Sequence, residues 1–183
     1  MGKIFYISDL HLGHKNAIRF DNRPWPTIEA MDEGIIENWN KKVSNEDTVY
    51  ILGDISWYRD AKKTATLLKR LNGKKILLKG NHDNLRSSEV AACFAEIYDY
   101  HEIKDGDYNI VLCHYPILFY KNNRHGWIHL YGHLHIGMDE NLCNNMIQQL
   151  KDAGINVRMY NVGLMLHNFE PVTLEEIFEK NKE

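Results

Sequence analysis

The sequence predicts an α/β domain in which two sheets pack face to face with helices on the outside. Short, almost unbroken apolar runs rich in β-branched residues alternate with helix-period patterns through the first half of the chain. In the second half, strands follow one another through tighter connections with fewer helices. Asp, Asn and His repeatedly occupy the strand ends, where α/β sheets gather their ligands.

Residues 3–8, 48–52 and 75–78 are predicted as strands buried on both faces, because their apolar character is continuous rather than alternating. Between the first two, residues 27–43 carry Ile28, Met31, Ile35, Ile36 and Trp39 at helical spacing, and residues 64–71 repeat that pattern more briefly. Further strands are expected over 97–103, 108–113, 128–131 and 157–162. A helix is expected over 138–151 and a last one over 172–180, opened by Thr173 with Glu176 three residues on, the pattern of a capping box. There is no internal repeat and no low-complexity tract.

The 183 residues, 44% hydrophobic and 26% charged, suit a single domain over 1–183 with its own core and leave no room for a second of useful size. A net charge of −3 provides no global footprint for nucleic acid or an anionic membrane. Cys93, Cys113 and Cys143 are scattered and odd in number, as expected of reduced thiols rather than a disulfide framework. The first residues lack the apolar stretch of a signal peptide, and Tyr6 stands where a myristoylation motif needs Ser or Thr. No stretch reaches the length of a bilayer span. The expectation is a soluble, cytoplasmic protein.

The chemistry lies in the residues at the carboxyl end of each strand. The first strand ends in Ser8-Asp9-Leu10-His11, the second in Gly53-Asp54, and the third in Gly80-Asn81-His82-Asp83. Later strands end in Cys113-His114 and in Gly132-His133-Leu134-His135. The nearby glycines let the backbone turn tightly. Side chains two apart in extended chain point the same way, so Asp9 with His11, or His133 with His135, can grip one ion together or each face a different one. Carboxylate, amide oxygen and imidazole without thiolate suit Mn, Fe, Zn, Ni or Co, and hold too much histidine for Mg or Ca alone. Taken singly, each piece has an ordinary explanation as a turn, a helix cap or a buried histidine. Their shared placement at strand ends makes coincidence a poor one.

These blocks, Asp-x-His, Gly-Asp, Gly-Asn-His-Asp, a single His and Gly-His-x-His, resemble the motif series of the calcineurin-like metallophosphoesterase superfamily, in order from residue 9 to residue 135. The stretches His11 to Asn16 and Arg19 to Pro24, with the tail from Asn161 through Val172, resemble small bacterial and phage phosphoesterases within it. The resemblance implies a four-layered α-β-β-α sandwich of two mixed sheets, with a dinuclear metal centre at the carboxyl edge of the strands. It implies that Asp9, His11 and His135 bind one metal and that Asn81, His114 and His133 bind the second, with Asp54 bridging. Two divalent cations, manganese foremost, are the implied cofactors. His82 would be a near-site histidine that is not a ligand, with Asp83 holding it in position. The sequence departs from many relatives at Ile55-Ser56-Trp57-Tyr58, where they carry another acidic residue after Gly-Asp.

Such a centre would activate a hydroxide shared by the two metals for attack on phosphorus, with His82 assisting the leaving group. Arg19 or Arg23 is expected to contact the substrate phosphate, since arginine presents a planar fork to phosphate oxygens; surface ion pairing is the alternative. Trp25, Trp57, Tyr115, Tyr120 and Trp127 lie near motif loops and would either stack on a base or simply pack. The expected substrate is a small phosphodiester, with a nucleotide preferred; a phosphomonoester is an alternative, and nucleic acid is less favoured by the acidic balance. A non-catalytic metal-binding scaffold of the same fold is the rival from another class. A Cys-His hydrolase on Cys113 is disfavoured, because adjacent strand residues face opposite ways and His114 cannot serve as its base.

Overall fold

The computed structural model describes residues 2–182. Strands β1 (Ile4–Ile7), β2 (Thr48–Ile51), β3 (Lys74–Leu78) and β4 (Glu96–Tyr98) form one parallel sheet in chain order, with an antiparallel bridge from Tyr6 to Val172 at its edge. In the second sheet, β5 (Tyr100–Asp105) pairs antiparallel with β6 (Tyr108–Cys113), which continues parallel through β7 (Ile128–Tyr131) to β8 (Arg158–Asn161). The helices are α1 (Lys15–Phe20), α2 (Ile28–Lys42), α3 (Ala61–Lys69), α4 (Ser88–Ala91), α5 (Met138–Asp152) and α6 (Leu174–Asn181).

Strand alternation sorts the core into layers. Phe5, Ile7, Val49, Ile51 and Leu77 point to the outer face of the first sheet and pack with Met31, Ile35 and Trp39 of α2 and Leu68 of α3. Their neighbours Tyr6 and Leu78 turn inward, where Ile110, Leu112, Ile128, Leu130 and Tyr160 of the second sheet meet them. Val111, Tyr131 and Met159 face the other way, against Cys143 and Ile147 of α5. Three interfaces make four layers, the expected α-β-β-α sandwich. Because both faces of the central strands are covered, their sequences are apolar without alternation.

Residues 97–103, expected as one strand, are instead two. Glu96 and Ile97 pair with β3 in the first sheet, whereas Tyr100 onward pairs with β6 in the second, and Asp99 between them carries the chain across. The pairing partner separates the two strands, and local pattern does not reveal it. At the site edge the sheets are stitched together: Ser8 N–H donates to Val162 O at 3.0 Å and Leu164 N–H donates to Ser8 O at 3.0 Å. That join sets the segment after β8 against the end of β1, and the loop after β7 reaches the same edge through His133 N–H, which donates to Asp9 Oδ2 at 3.0 Å.

Candidate metal centre

The motif loops converge at the carboxyl ends of β1, β2, β3, β6 and β7. Asp9, His11, Asp54 and His133 have left-handed backbone, with φ of +59°, +47°, +55° and +70°. Side chains other than glycine take this conformation at a cost of roughly 1–2 kcal/mol each, and such strain concentrates at functional sites. The motif glycines serve close approach as well as turning. A Cβ at Gly80 would run into the Asp54 carboxylate, and one at Gly132 would run into the Ser8 hydroxyl.

Asp9 is fully buried; its Oδ2 accepts from the Ser8 hydroxyl and, at 3.0 Å, from His133 N–H, while Oδ1 has no partner among the described residues. Both ring nitrogens of buried His11 are likewise unpartnered. His11 Nε2 lies 3.8 Å from Asp9 Oδ1 and 3.6 Å from Asp54 Oδ2. His135 donates from Nδ1 to Asp21 Oδ1 at 2.8 Å, which leaves Nε2 facing Asp9 Oδ1 at 4.0 Å. One oxygen or nitrogen from each of Asp9, His11 and His135 therefore falls within 4.8 Å of the others, a spacing that fits a shared cation.

A second group adjoins the first. Asp9, Asp54 and His114 also bring ligand atoms within 4.8 Å of one another. His114 commits its Nδ1–H to Leu52 O at 2.6 Å, so its Nε2 lone pair faces Asn81 Oδ1 at 3.0 Å and Asp54 Oδ1 at 3.7 Å. Acceptors facing one another at such distances repel unless a cation lies among them. His133 borders this group, its ring centroid 5.0 Å from that of His114.

Burial sets the electrostatics. Desolvation pushes the Asp9 carboxyl up to about 6, against the pull of His114 and the Ser8 hydroxyl. The same cause drives His11 far below the ordinary imidazole range, and lowers His133. Burial also disfavours charged His135, but the Asp21 hydrogen bond and charge outweigh it, and its pKa is raised. Neutral imidazoles with free lone pairs around a buried carboxylate are what divalent cations bind, and their orphaned atoms fit such ions.

Two expectations about neighbouring residues change. Arg23 is buried, not poised for substrate: it makes a two-bond ion pair with Asp21 Oδ2 and donates to Leu10 O at 2.7 Å and Asp9 O at 3.1 Å. It braces the first motif loop, while Arg19 stands exposed on α1. Asp83 does not grip the His82 ring. Its carboxylate accepts from the N–H groups of Asp54 (3.0 Å), Ile55 (2.8 Å) and Gly80 (2.8 Å), clamping the second and third motif loops together. His82 donates its N–H to Asp54 Oδ1 at 2.9 Å and rests its ring 4.4 Å from Trp57.

The aromatic candidates divide. Trp57, 44% exposed, stacks on His14 at 4.1 Å, and Tyr115, 45% exposed, meets His133 at 4.8 Å, so both stand at the site rim. Trp25 packs on Phe169, Tyr120 is buried with its hydroxyl on Trp127 O, and Trp127 lies beneath Lys121. Sequence reasoning missed the roles of Ser8 and Asp21. Ser8 directly precedes the Asp9 motif, but Asp21 carries no signal beyond its place in the family-like stretch.

The profile of the calcineurin-like phosphoesterases matches residues 2–165. An uncharacterized protein, MJ1445, of Methanocaldococcus jannaschii is 34% identical over 186 residues, covering 100% of this chain and 94% of that protein. The gene 66 protein of Mycobacterium phage D29 is 28% identical over 161 residues, 74% of this chain and 79% of its own length. Among solved structures, the protein of unknown function AQ665 from Aquifex aeolicus superposes with a TM-score of 0.74 at 26% identity, covering 98% of this chain and 100% of that one.

Proposed function

Because the chain belongs to the calcineurin-like phosphoesterase family, we propose that it is a dinuclear-metal-dependent phosphoesterase acting on a small phosphodiester, a nucleotide by preference, and that residues 1–183 form one catalytic domain. One observation supports this above the others. The Asp54 carboxylate turns one oxygen toward His11 at 3.6 Å and the other toward His114 at 3.7 Å, between two groups of ligand side chains. In this assignment Asp9, His11 and His135 hold one cation, Asn81, His114 and His133 hold the other, and Asp54 stands between them. Manganese is preferred, and Fe, Zn, Ni or Co suit the same donors. Such a pair, when bound, lowers the pKa of water and neutralises charge on the phosphate.

The chain's own contribution is positional. Asp83 holds the Asp54 and Gly80 loops at fixed separation, and Asp21 orients His135. His82, exposed and held by its own backbone on Asp54, supplies a proton to the departing oxygen. In the overall reaction water's oxygen joins phosphorus, the bond to the leaving oxygen breaks, and that oxygen leaves protonated. No helix of the described residues is long and apolar enough to cross a membrane. The proposed location is the cytoplasm.

The test is a screen of phosphomonoesters, phosphodiesters and cyclic nucleotides with manganese added, alongside elemental analysis of the same sample. His82→Ala should keep its metal content and lose about 10²–10⁴-fold in rate. Full activity in that variant would remove the assigned role. Bound metals without turnover on any phosphoester would favour the non-catalytic scaffold instead.

A further inference from the structure

A cavity of about 330 Å³ opens beside the metal centre, between the segment after Asp54 and the segment after Asp83. That volume is at the small end of ligand sites, enough for a phosphate with part of a sugar. Its polar lining is Ser56, Tyr58, Arg59, Thr64, Asn84, Arg86 and Ser87, and no Asp or Glu among the described residues lines it. In a chain whose net charge is −3, this is a locally cationic recess. Arg59 and Arg86 are exposed, and neither has an acidic partner among the described residues.

The walls are held in place. The Asp83 carboxylate fastens the bases of both segments through the N–H groups of Asp54, Ile55 and Gly80. Ser56 Oγ and Thr64 Oγ1 lie 3.0 Å apart, Tyr58 N–H donates to Ser56 Oγ at 3.2 Å, and Arg86 N–H donates to Asn84 Oδ1 at 3.2 Å. A site fixed before its ligand arrives loses little on ordering. Trp57 stands between recess and metals: its chain neighbours Ser56 and Tyr58 line the cavity, while its ring lies against His14 and His82.

We propose that this recess binds a second phosphate of the substrate, carried on the leaving-group side of the scissile phosphodiester and held by Arg59 and Arg86. The proposal rests on the phosphoesterase reading and narrows its substrate to a diester with a further phosphate one unit away, as in a phosphorylated dinucleotide. His82 and Trp57 place the departing oxygen at the border of the recess. Paired guanidinium groups then take the remote phosphate through forked, charge-assisted hydrogen bonds.

Two measurements test this on the full chain. First, inorganic phosphate is titrated by calorimetry into protein stripped of metal by chelation, using the wild type and an Arg59→Ala/Arg86→Ala variant. Both side chains are exposed, so the core is untouched, and circular dichroism verifies the fold. The affinity should fall on the order of tenfold or more in the variant, as loss of charged hydrogen bonds implies. Equal affinity in the two proteins would overturn the proposal. Second, the metal-loaded wild type is assayed on the thymidine dinucleotide TpT and on forms bearing a 5′- or 3′-terminal phosphate. One terminal phosphate should lower KM about tenfold, and the variant should bring that preference close to unity. A preference that survives the variant, or never exists, would also overturn it. Should no dinucleotide be hydrolysed while phosphate binding still depends on the two arginines, the anion recess stands and the dinucleotide substrate falls; the phosphoesterase reading itself falls only if the wider phosphoester screen also shows no turnover.

Discussion

Buried Asp21 joins two partners, buried Arg23 and half-buried His135, that no local pattern pairs. One oxygen takes the Nδ1–H of His135 at 2.8 Å and the other takes the Arg23 guanidinium, while Arg23 reaches the carbonyls of Leu10 and Asp9. A single carboxylate thus orients a candidate ligand on one loop and steadies the backbone of another. Asp21→Asn should lower metal affinity at the Asp9–His11–His135 group by about 10–100-fold, measured by competitive titration with a chelating dye. It should also destabilise the fold by roughly 3–5 kcal/mol, because Arg23 would keep its buried charge without a carboxylate. Wild-type affinity in that variant would show that His135 needs no such support. At this scale the donor types were legible in the sequence, since Asp, Asn and His, whose side chains carry ligating lone pairs, gather at the strand ends. The supporting residues were not: the Asp21–His135 bond spans 114 residues, and Arg23 looks the same whether it faces substrate or core.

The capping box of α6 shows how far an element can be read locally. Thr173 Oγ1 accepts from Glu176 N–H at 3.3 Å, and Glu176 Oε2 accepts from Thr173 N–H at 2.9 Å, as the Thr-x-x-Glu spacing foretold. Thr173→Ala should therefore cost about 1 kcal/mol in urea denaturation without altering metal content. A loss well below that would mean that packing of Leu174 and Ile177 carries the helix end alone. Other elements escape local reading. Helix α1 is six residues long with no side-chain cap, too short for a periodic signal. The split at Asp99 is invisible because strand pairing involves distant partners, with β4 going to β3 and β5 to β6. Phe20, at the end of α1, packs edge-on at 4.9 Å against His135, so the unforeseen helix helps to wall the site.

Across the whole molecule, the interior is apolar enough to hold histidines neutral, which links stability to pH. His129 is fully buried, donating from Nδ1 to Val111 O and accepting at Nε2 from Ile117 N–H, and burial brings its pKa down to about 4. His167, buried beside Asn161, is also lowered to about 4 by burial. The unfolded chain takes up these protons near 6.5 and the folded one does not, so their contribution is complete above 6.5 and is lost as pH falls toward 4. Each should remove about 1.4 kcal/mol per pH unit in that window. Urea midpoints of the metal-free protein at pH 7 and pH 5 should show a smaller decline in His129→Gln than in the wild type, and equal declines would refute the linkage. The sequence by itself determined the α/β class, the strand ends that carry the candidate ligands, and their donor chemistry, because periodicity and side-chain functional groups are local properties of the chain. Only the tertiary structure decided which donors lie within reach of one cation, that Asp83 clamps loops and Arg23 supports the site from within, and that Arg59 and Arg86 line one recess. These depend on distances between residues far apart in sequence, which are set by how the two sheets pack and not by any segment alone.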